Sequence, residues 1–264
     1  LSDARESAAY RPPPMPAVHA VTVADLKAAL HAGITDFKAA PAFGLFFGGI
    51  YTAGGLLILA ALWLFEMPWM IIFPAVGFPL IGPFVAVGCY EVSRRRAAGE
   101  PLEWGAVLGV IFRQRERQLA WLAFVVLFIF WLWIYQVRLL LALFLGSKSF
   151  SSLAAFGDLV FTTSDGFWFL AVGACVGAFD AFILFSTTVI AMPLLLDREV
   201  DIITAIITSF RTVLKSPHAM LGWGVFVAVL ALASMVPAFF GLMLVLPILG
   251  HATWHLYRRA VTPA

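Results

Sequence analysis

Six stretches of this chain run apolar for about twenty residues or more: 42–65, 67–90, 119–145, 166–196, 218–236 and 238–257. A helix needs about 20 apolar residues to cross the hydrocarbon core of a bilayer, and inside that core every backbone N–H and C=O must be satisfied within the segment. The pattern predicts an all-α polytopic membrane protein with six transmembrane helices. Charged residues make up 12% of the chain, about half the share in a soluble domain. The second run contains Pro68, Pro74, Pro79 and Pro83 and is expected to be kinked or partly broken. The fourth is long enough that it must tilt or project. Only Val236-Pro237 separates the last two, which predicts a tight turn.

Basic residues set the orientation. Fifteen of the 17 lie in the N-terminal segment, the loops after the second and fourth runs, and the C-terminus. They include Arg94, Arg95, Arg96, Arg113, Arg115, Arg117, Arg198, Arg211, Lys215, Arg258 and Arg259, with Arg138 and Lys148 on the other side. Positive charge stays cytoplasmic, so both termini are expected in the cytoplasm of a bacterium, with the chain in its inner membrane. The arginine clusters are read as contacts to anionic lipid or to a partner, and Glu91 as an interfacial ion pair with the arginines after it. The segment 146–165, with Ser147, Lys148, Ser149, Ser151 and Ser152, is then the main external loop, and Thr163-Ser164-Asp165 suits a helix cap.

A short amphipathic stretch precedes each pair of runs. Val23, Leu26, Leu30, Ile34 and Phe37 recur at helical spacing; so do Leu102, Val107, Leu108, Ile111 and Phe112, and again Ile202, Ile203, Ile206, Ile207, Phe210 and Val213. Asp25, Pro41 and Gly48 sit at the spacing of Asp201, Pro217 and Gly224. The expected architecture is one membrane domain over 21–259, built from three repeats of amphipathic helix plus two spans (about 21–96, 101–198 and 199–259). A Pro-rich tail (1–20) and a short C-terminal tail (260–264) flank it. The repeats share one orientation, unlike the inverted repeats of many secondary transporters.

Few residues carry chemistry. His251 and His255 are four apart, so both imidazoles share a helix face, a spacing that serves metal or haem ligation and equally serves plain hydrogen bonding near the interface. Asp180 falls in the middle of the fourth run. A carboxylate there costs about 2.5–3.5 kcal/mol on insertion scales and marks an intramembrane polar site, with Arg138 the internal cation available to it. Cys89 and Cys175 lie in apolar runs and read as small hydrophobes. Gly44-x-x-x-Gly48 and Gly173-x-x-x-Gly177 permit close helix packing. No phosphate loop, dinucleotide fingerprint, zincin motif or Cys-x-x-Cys-His occurs.

The stretch from Met192-Pro193-Leu194 through Trp223 to Gly250-His251-Ala252-Thr253-Trp254-His255-Leu256-Tyr257-Arg258 resembles a family of bacterial integral membrane proteins, domain of unknown function 2189. The resemblance is closest over 186–259 and extends more loosely back to about residue 20. It implies a multi-span inner-membrane protein with no established activity; some members carry a label as cytochrome c oxidase proteins. With five histidines in all, the chain cannot be the haem–copper catalytic subunit, which needs about six within the membrane to hold its haems and copper. The expectation is a non-catalytic accessory or assembly subunit of a larger membrane complex such as a respiratory oxidase. Any haem would sit in a partner, bound phospholipid is expected, the partners are lipids and other membrane subunits, and no nucleic acid is involved. The alternatives are a transporter or channel using Asp180, and a haem- or metal-binding protein using His251 and His255.

Overall fold

A computed structural model describes residues 15–63, 72–114, 118–146 and 153–262. Among them the regular secondary structure is helical, with one isolated bridge between Val18 and Val261. The helices are α1 (Val23–Ala39), α2 (Pro41–Trp63), α3 (Ile72–Ala98), α4 (Trp104–Gln114), α5 (Gln118–Leu140), α6 (Leu153–Thr162), α7 (Ser164–Thr188), α8 (Ala191–Asp197), α9 (Ile202–Lys215), α10 (Pro217–Met235) and α11 (Leu242–Ala260). A π-helical turn, Leu141–Leu145, prolongs α5.

Four helical segments among the described residues are long and apolar enough to cross a membrane: Pro41–Ala60, Gln118–Leu145, Ser164–Asp197 and Pro217–Met235. They coincide with the first, third, fourth and fifth apolar runs. The start of the second run, with Glu66 and Pro68, lies outside the described residues, as do most of the Pro-rich tail and residues 147–152 with Lys148. α11 falls short because His251, His255, Arg258 and Arg259 occupy its second half.

Three local features refine the expectations from the sequence. The second run is not broken at its described prolines: α3 passes through Pro74, Pro79 and Pro83 without interruption. In an apolar setting no water competes for the freed carbonyls, so the remaining ladder bonds hold the helix together. The fourth run divides instead at Val189-Ile190, between α7 and α8. Pro193 lacks an N–H and its ring crowds the carbonyl four residues back; the Ile190 N–H donates to Ser209 Oγ at 3.1 Å. The expected external loop contains a further helix, α6, after which Thr163 caps α7 by accepting from the Gly166 N–H at 3.0 Å.

The last turn takes up residues 236–241, more than the Val236-Pro237 pair that separates the two apolar runs. Ala238 and Phe239 take left-handed φ values of 48° and 66°, an uncommon conformation for residues with a Cβ. Thr52 Oγ1 donates to the Phe239 carbonyl at 3.1 Å and holds the turn against α2.

The amphipathic helices begin on built caps. Thr22 and Asp25 form a reciprocal capping box on α1, and Asp201 caps α9 by accepting from the Thr204 N–H at 2.9 Å. The joints that follow α1 and α9 have nearly the same backbone: Ala40 at φ −136°, ψ 55° and Ser216 at φ −137°, ψ 58°. A proline opens the next helix in each case, where its missing N–H costs nothing. α1 and α2 run antiparallel along α11. Gly33 permits this, since a Cβ there would lie 2.6 Å from the Ala252 backbone nitrogen, and Gly48 meets the Met243 backbone in the same way. Gly177, by contrast, faces open space. Buried apolar residues concentrate at the basic end, around Tyr90, Ile190, Leu194, Met220, Trp254 and Tyr257.

Candidate functional site

α1, α3 and α11 each bring polar residues to the basic end of the bundle. On α1, Asp36 shares its face with Ala29 and Gly33, so close packing against α11 buries the carboxylate. On α11, the four-residue spacing of His251 and His255 points both rings at α1 and α3. Asp36 Oδ2 accepts from His255 Nε2 at 2.7 Å, and Asp36 Oδ1 accepts from Arg96 Nε at 2.8 Å. One turn deeper, His251 Nδ1 lies 2.8 Å from Ser93 Oγ, and the ring is fully buried with Nε2 unpartnered.

Burial raises the Asp36 carboxyl, but hydrogen bonds from His255, Arg96 and Ser93 and the nearby imidazole outweigh it and hold the group down at about 2. Asp36 is therefore an anion held by donors from two other helices, α3 and α11.

Two further clusters close the same face. Glu91, 1% exposed, accepts from Arg94 Nε at 2.7 Å and from Arg95 Nε at 2.7 Å, while Glu100 accepts from Arg94 Nη1 at 3.0 Å. Asp197 at the end of α8 accepts from the Tyr257 hydroxyl at 2.6 Å and from Arg258 at 3.3 Å. Arg259 lies 3.6 Å from Asp25. The arginine triplet pairs with Glu91, Glu100 and Asp36, and the pairing with Glu91 is the one expected from the sequence. Arg113 is exposed, and Arg115 and Arg117 lie outside the described residues. Among the described residues, no group of three or more His, Cys, Asp and Glu is placed to hold a metal ion. The partners of the histidine pair, Asp36 and Ser93, went unrecognised in the sequence.

The intramembrane pair expected from the sequence is not brought together. Asp180 on α7 is buried and its Oδ2 has no hydrogen-bond partner. Arg138 on α5 is exposed, and no ion pair joins the two among the described residues. Ser186 Oγ on α7 and Gln136 Oε1 on α5 are also buried without partners.

Membrane-length apolar helices, packed at one end and closed there by ion pairs, define a polytopic helical membrane protein. Residues 70–197, from α3 to α8, match the family model described as "Predicted integral membrane protein (DUF2189)". This is the family that the sequence resembles, although the matched region shares only 186–197 with the stretch where the resemblance is closest. No curated protein and no solved structure matches the chain.

Proposed function

We propose that this protein is a non-catalytic subunit of a larger complex in the bacterial inner membrane, docked through the open face of α5. The observation that carries the reading is a seam on that helix. Trp121, Phe124, Phe128, Trp131, Tyr135 and Arg138 follow one another at spacings of three, four, three, four and three, and all are exposed. That spacing is the one by which a helix seats its side chains between those of a second helix. The residue types favour protein over lipid on this face. Trp131 is the fourteenth of the 28 residues in the segment Gln118–Leu145. Indoles of lipid-facing residues gather at the two membrane interfaces, where their N–H finds water, and not at mid-span.

On this reading the chain has six spans, with α3 and α11 as the second and sixth, and the basic end faces the cytoplasm. The matching joints at Ala40 and Ser216 support a repeat relating the first and third units, and the joint of the second expected unit lies outside the described residues. The charge network of Asp36, Arg96 and His255 is a clamp that holds the cytoplasmic end rigid. The label carried by some relatives makes a respiratory oxidase the first complex to test, with any haem in the partner.

The test is purification in mild detergent from native membranes, with co-purifying proteins identified by mass spectrometry and the visible spectrum recorded. A stoichiometric partner is expected, and it should be lost when Trp131→Leu and Tyr135→Leu are combined while the melting temperature holds. A wild-type protein that purifies alone overturns the reading. The unpartnered carboxylate of Asp180 favours a second reading, transport of a small solute or ion, for which flux in proteoliposomes should vanish in Asp180→Ala.

A further inference from the structure

A cavity of about 170 Å³ lies where α2, α3, α10 and α11 meet, with Phe47, Tyr51, Ala86, Tyr90, Val227 and Leu246 among its walls. The lining is mostly apolar, and the polar side chains on it are those of Tyr51, Cys89 and Tyr90. On α3 the lining stops at Tyr90 and on α11 at Gly250. Ser93 and His251 come next toward the arginines, both fully buried and joined at 2.8 Å. That pair shuts the cavity on its basic side, so a ligand enters from the bilayer.

Tyr90 indicates what the ligand is. The residue is 4% exposed, and its hydroxyl makes no hydrogen bond among the described residues. Trp223 Nε1 and His251 Nε2 are also unpartnered, but they are sealed inside the core. The Tyr90 hydroxyl keeps accessible surface, and on so buried a residue that surface faces the cavity it lines. A long side chain on a helix leans toward the N-terminus, which on α3 aims the phenol away from the arginines. A donor held out of water without an acceptor destabilises the fold, and an acceptor on a ligand removes that penalty. Size narrows the class further. A cavity of about 150 Å³ holds benzene, so this one takes a single ring of that size with small substituents.

We propose that this cavity binds the head ring of a membrane quinone. One ring carbonyl accepts from the Tyr90 hydroxyl, and the flat ring packs among Phe47, Tyr51 and Leu246. The apolar tail leaves past Val227 into the bilayer. A phospholipid acyl chain would fill the apolar space but bring no acceptor to Tyr90, whereas a ring carbonyl supplies both shape and acceptor. Apolar walls with a single oriented donor are the usual form of a small-molecule site. The proposal rests on the reading of α3 and α11 as spans and needs no partner protein.

The experiment is equilibrium gel filtration of the detergent-purified full chain, with decylubiquinone, decylbenzene or phosphatidylglycerol held in the running buffer and the bound probe extracted and quantified. One decylubiquinone should bind, at least fivefold more tightly than decylbenzene, which has the ring and tail without the carbonyls. Excess phosphatidylglycerol should not displace it. Tyr90→Phe removes a hydroxyl that bonds nothing among the described residues. That variant should keep its melting temperature, weaken decylubiquinone at least threefold and leave decylbenzene unchanged. Val227→Trp fills the cavity from α10 and should abolish binding of both. Failure of decylubiquinone to bind, or equal binding by Val227→Trp and wild type, overturns the site. Equal binding of decylubiquinone and decylbenzene, or no effect of Tyr90→Phe, overturns the carbonyl assignment, and displacement by phosphatidylglycerol overturns a quinone in favour of a lipid. Binding is read on the isolated chain, so its failure is distinct from failure of the subunit reading.

Discussion

His255 Nε2 donates to Asp36 Oδ2 across 2.7 Å, and this bond joins residues 219 positions apart. It locks α1 against the half of α11 that carries the arginines. Asp36→Ala removes the acceptor of both His255 and Arg96 and leaves two donors facing a gap. Loss of one partner of a fully buried ion pair costs about 3–5 kcal/mol. Arg96 and His255 retain some water contact, with side chains 30% and 22% exposed, so the expected loss is about 2 kcal/mol. Thermal unfolding in detergent should show it. Asp36→Asn, which keeps one acceptor oxygen, should lose less, and a melting temperature unchanged in both variants would refute the clamp.

Acid should release the same clamp. The Asp36 carboxyl stands at about 2 in the folded protein against an ordinary 3.8. The folded state therefore binds fewer protons than the unfolded state between those values. The stabilisation is complete above about pH 4 and is lost as pH falls through about 2, a contribution on the order of 2 kcal/mol. Asp25 and Asp201 are lowered in the same direction by their hydrogen bonds with Thr22 and Thr204, so some acid sensitivity persists without Asp36. Melting temperature between pH 5 and pH 2 should fall less steeply in Asp36→Asn than in wild type, and identical slopes would count against this assignment.

The membrane class was legible because it depends on run length alone, and four of the six runs returned as helices of spanning length. The histidine pair was legible as a shared face because spacing fixes direction on a helix. Its partners were not, since Asp36 and Ser93 reach it only through the packing of α1 and α3. A trace of the signal was present: Asp36 follows Ala29 and Gly33 at helical spacing, so it lies on the face where small residues permit contact. α6 was missed because serines dominate the start of 146–165, although Leu153, Phe156, Leu159 and Val160 recur behind them. The seam on α5 could have been read from its three-four spacing, but an all-apolar helix hides a seam until exposure separates its faces.

Gly33 should tolerate no side chain. A Cβ there would lie 2.6 Å from Ala252 N and 2.8 Å from Ile248 O, both backbone atoms that cannot rotate away. Gly33→Ala ought to gain about 1 kcal/mol from helix propensity, yet the clash must separate α1 from α11. The expected result is net destabilisation with faster hydrogen exchange confined to α1 and the C-terminal half of α11. Gly222→Ala serves as the contrast, since the same addition meets open space and should be neutral or stabilising. Equal stability of the two variants would show that α1 and α11 do not approach as closely as described.

Asp180 separates a structural from a functional intramembrane carboxylate. Its Oδ2 is buried with no hydrogen-bond partner, so it contributes no internal bond that a substitution would break. Removing a polar group from mid-span recovers about 2.5–3.5 kcal/mol on insertion scales. Asp180→Leu should therefore raise the melting temperature of the isolated protein. A packing role predicts the opposite, because loss of a stabilising contact would lower it. A buried carboxylate that costs stability and forms no internal bond points to a role other than packing, so the same variant should fail in function. It should lose the co-purifying partner if α7 forms part of the docking surface, or lose flux if the carboxylate carries a solute or ion. A more stable Asp180→Leu protein that keeps its partner and shows no altered flux would leave Asp180 without a role in either reading.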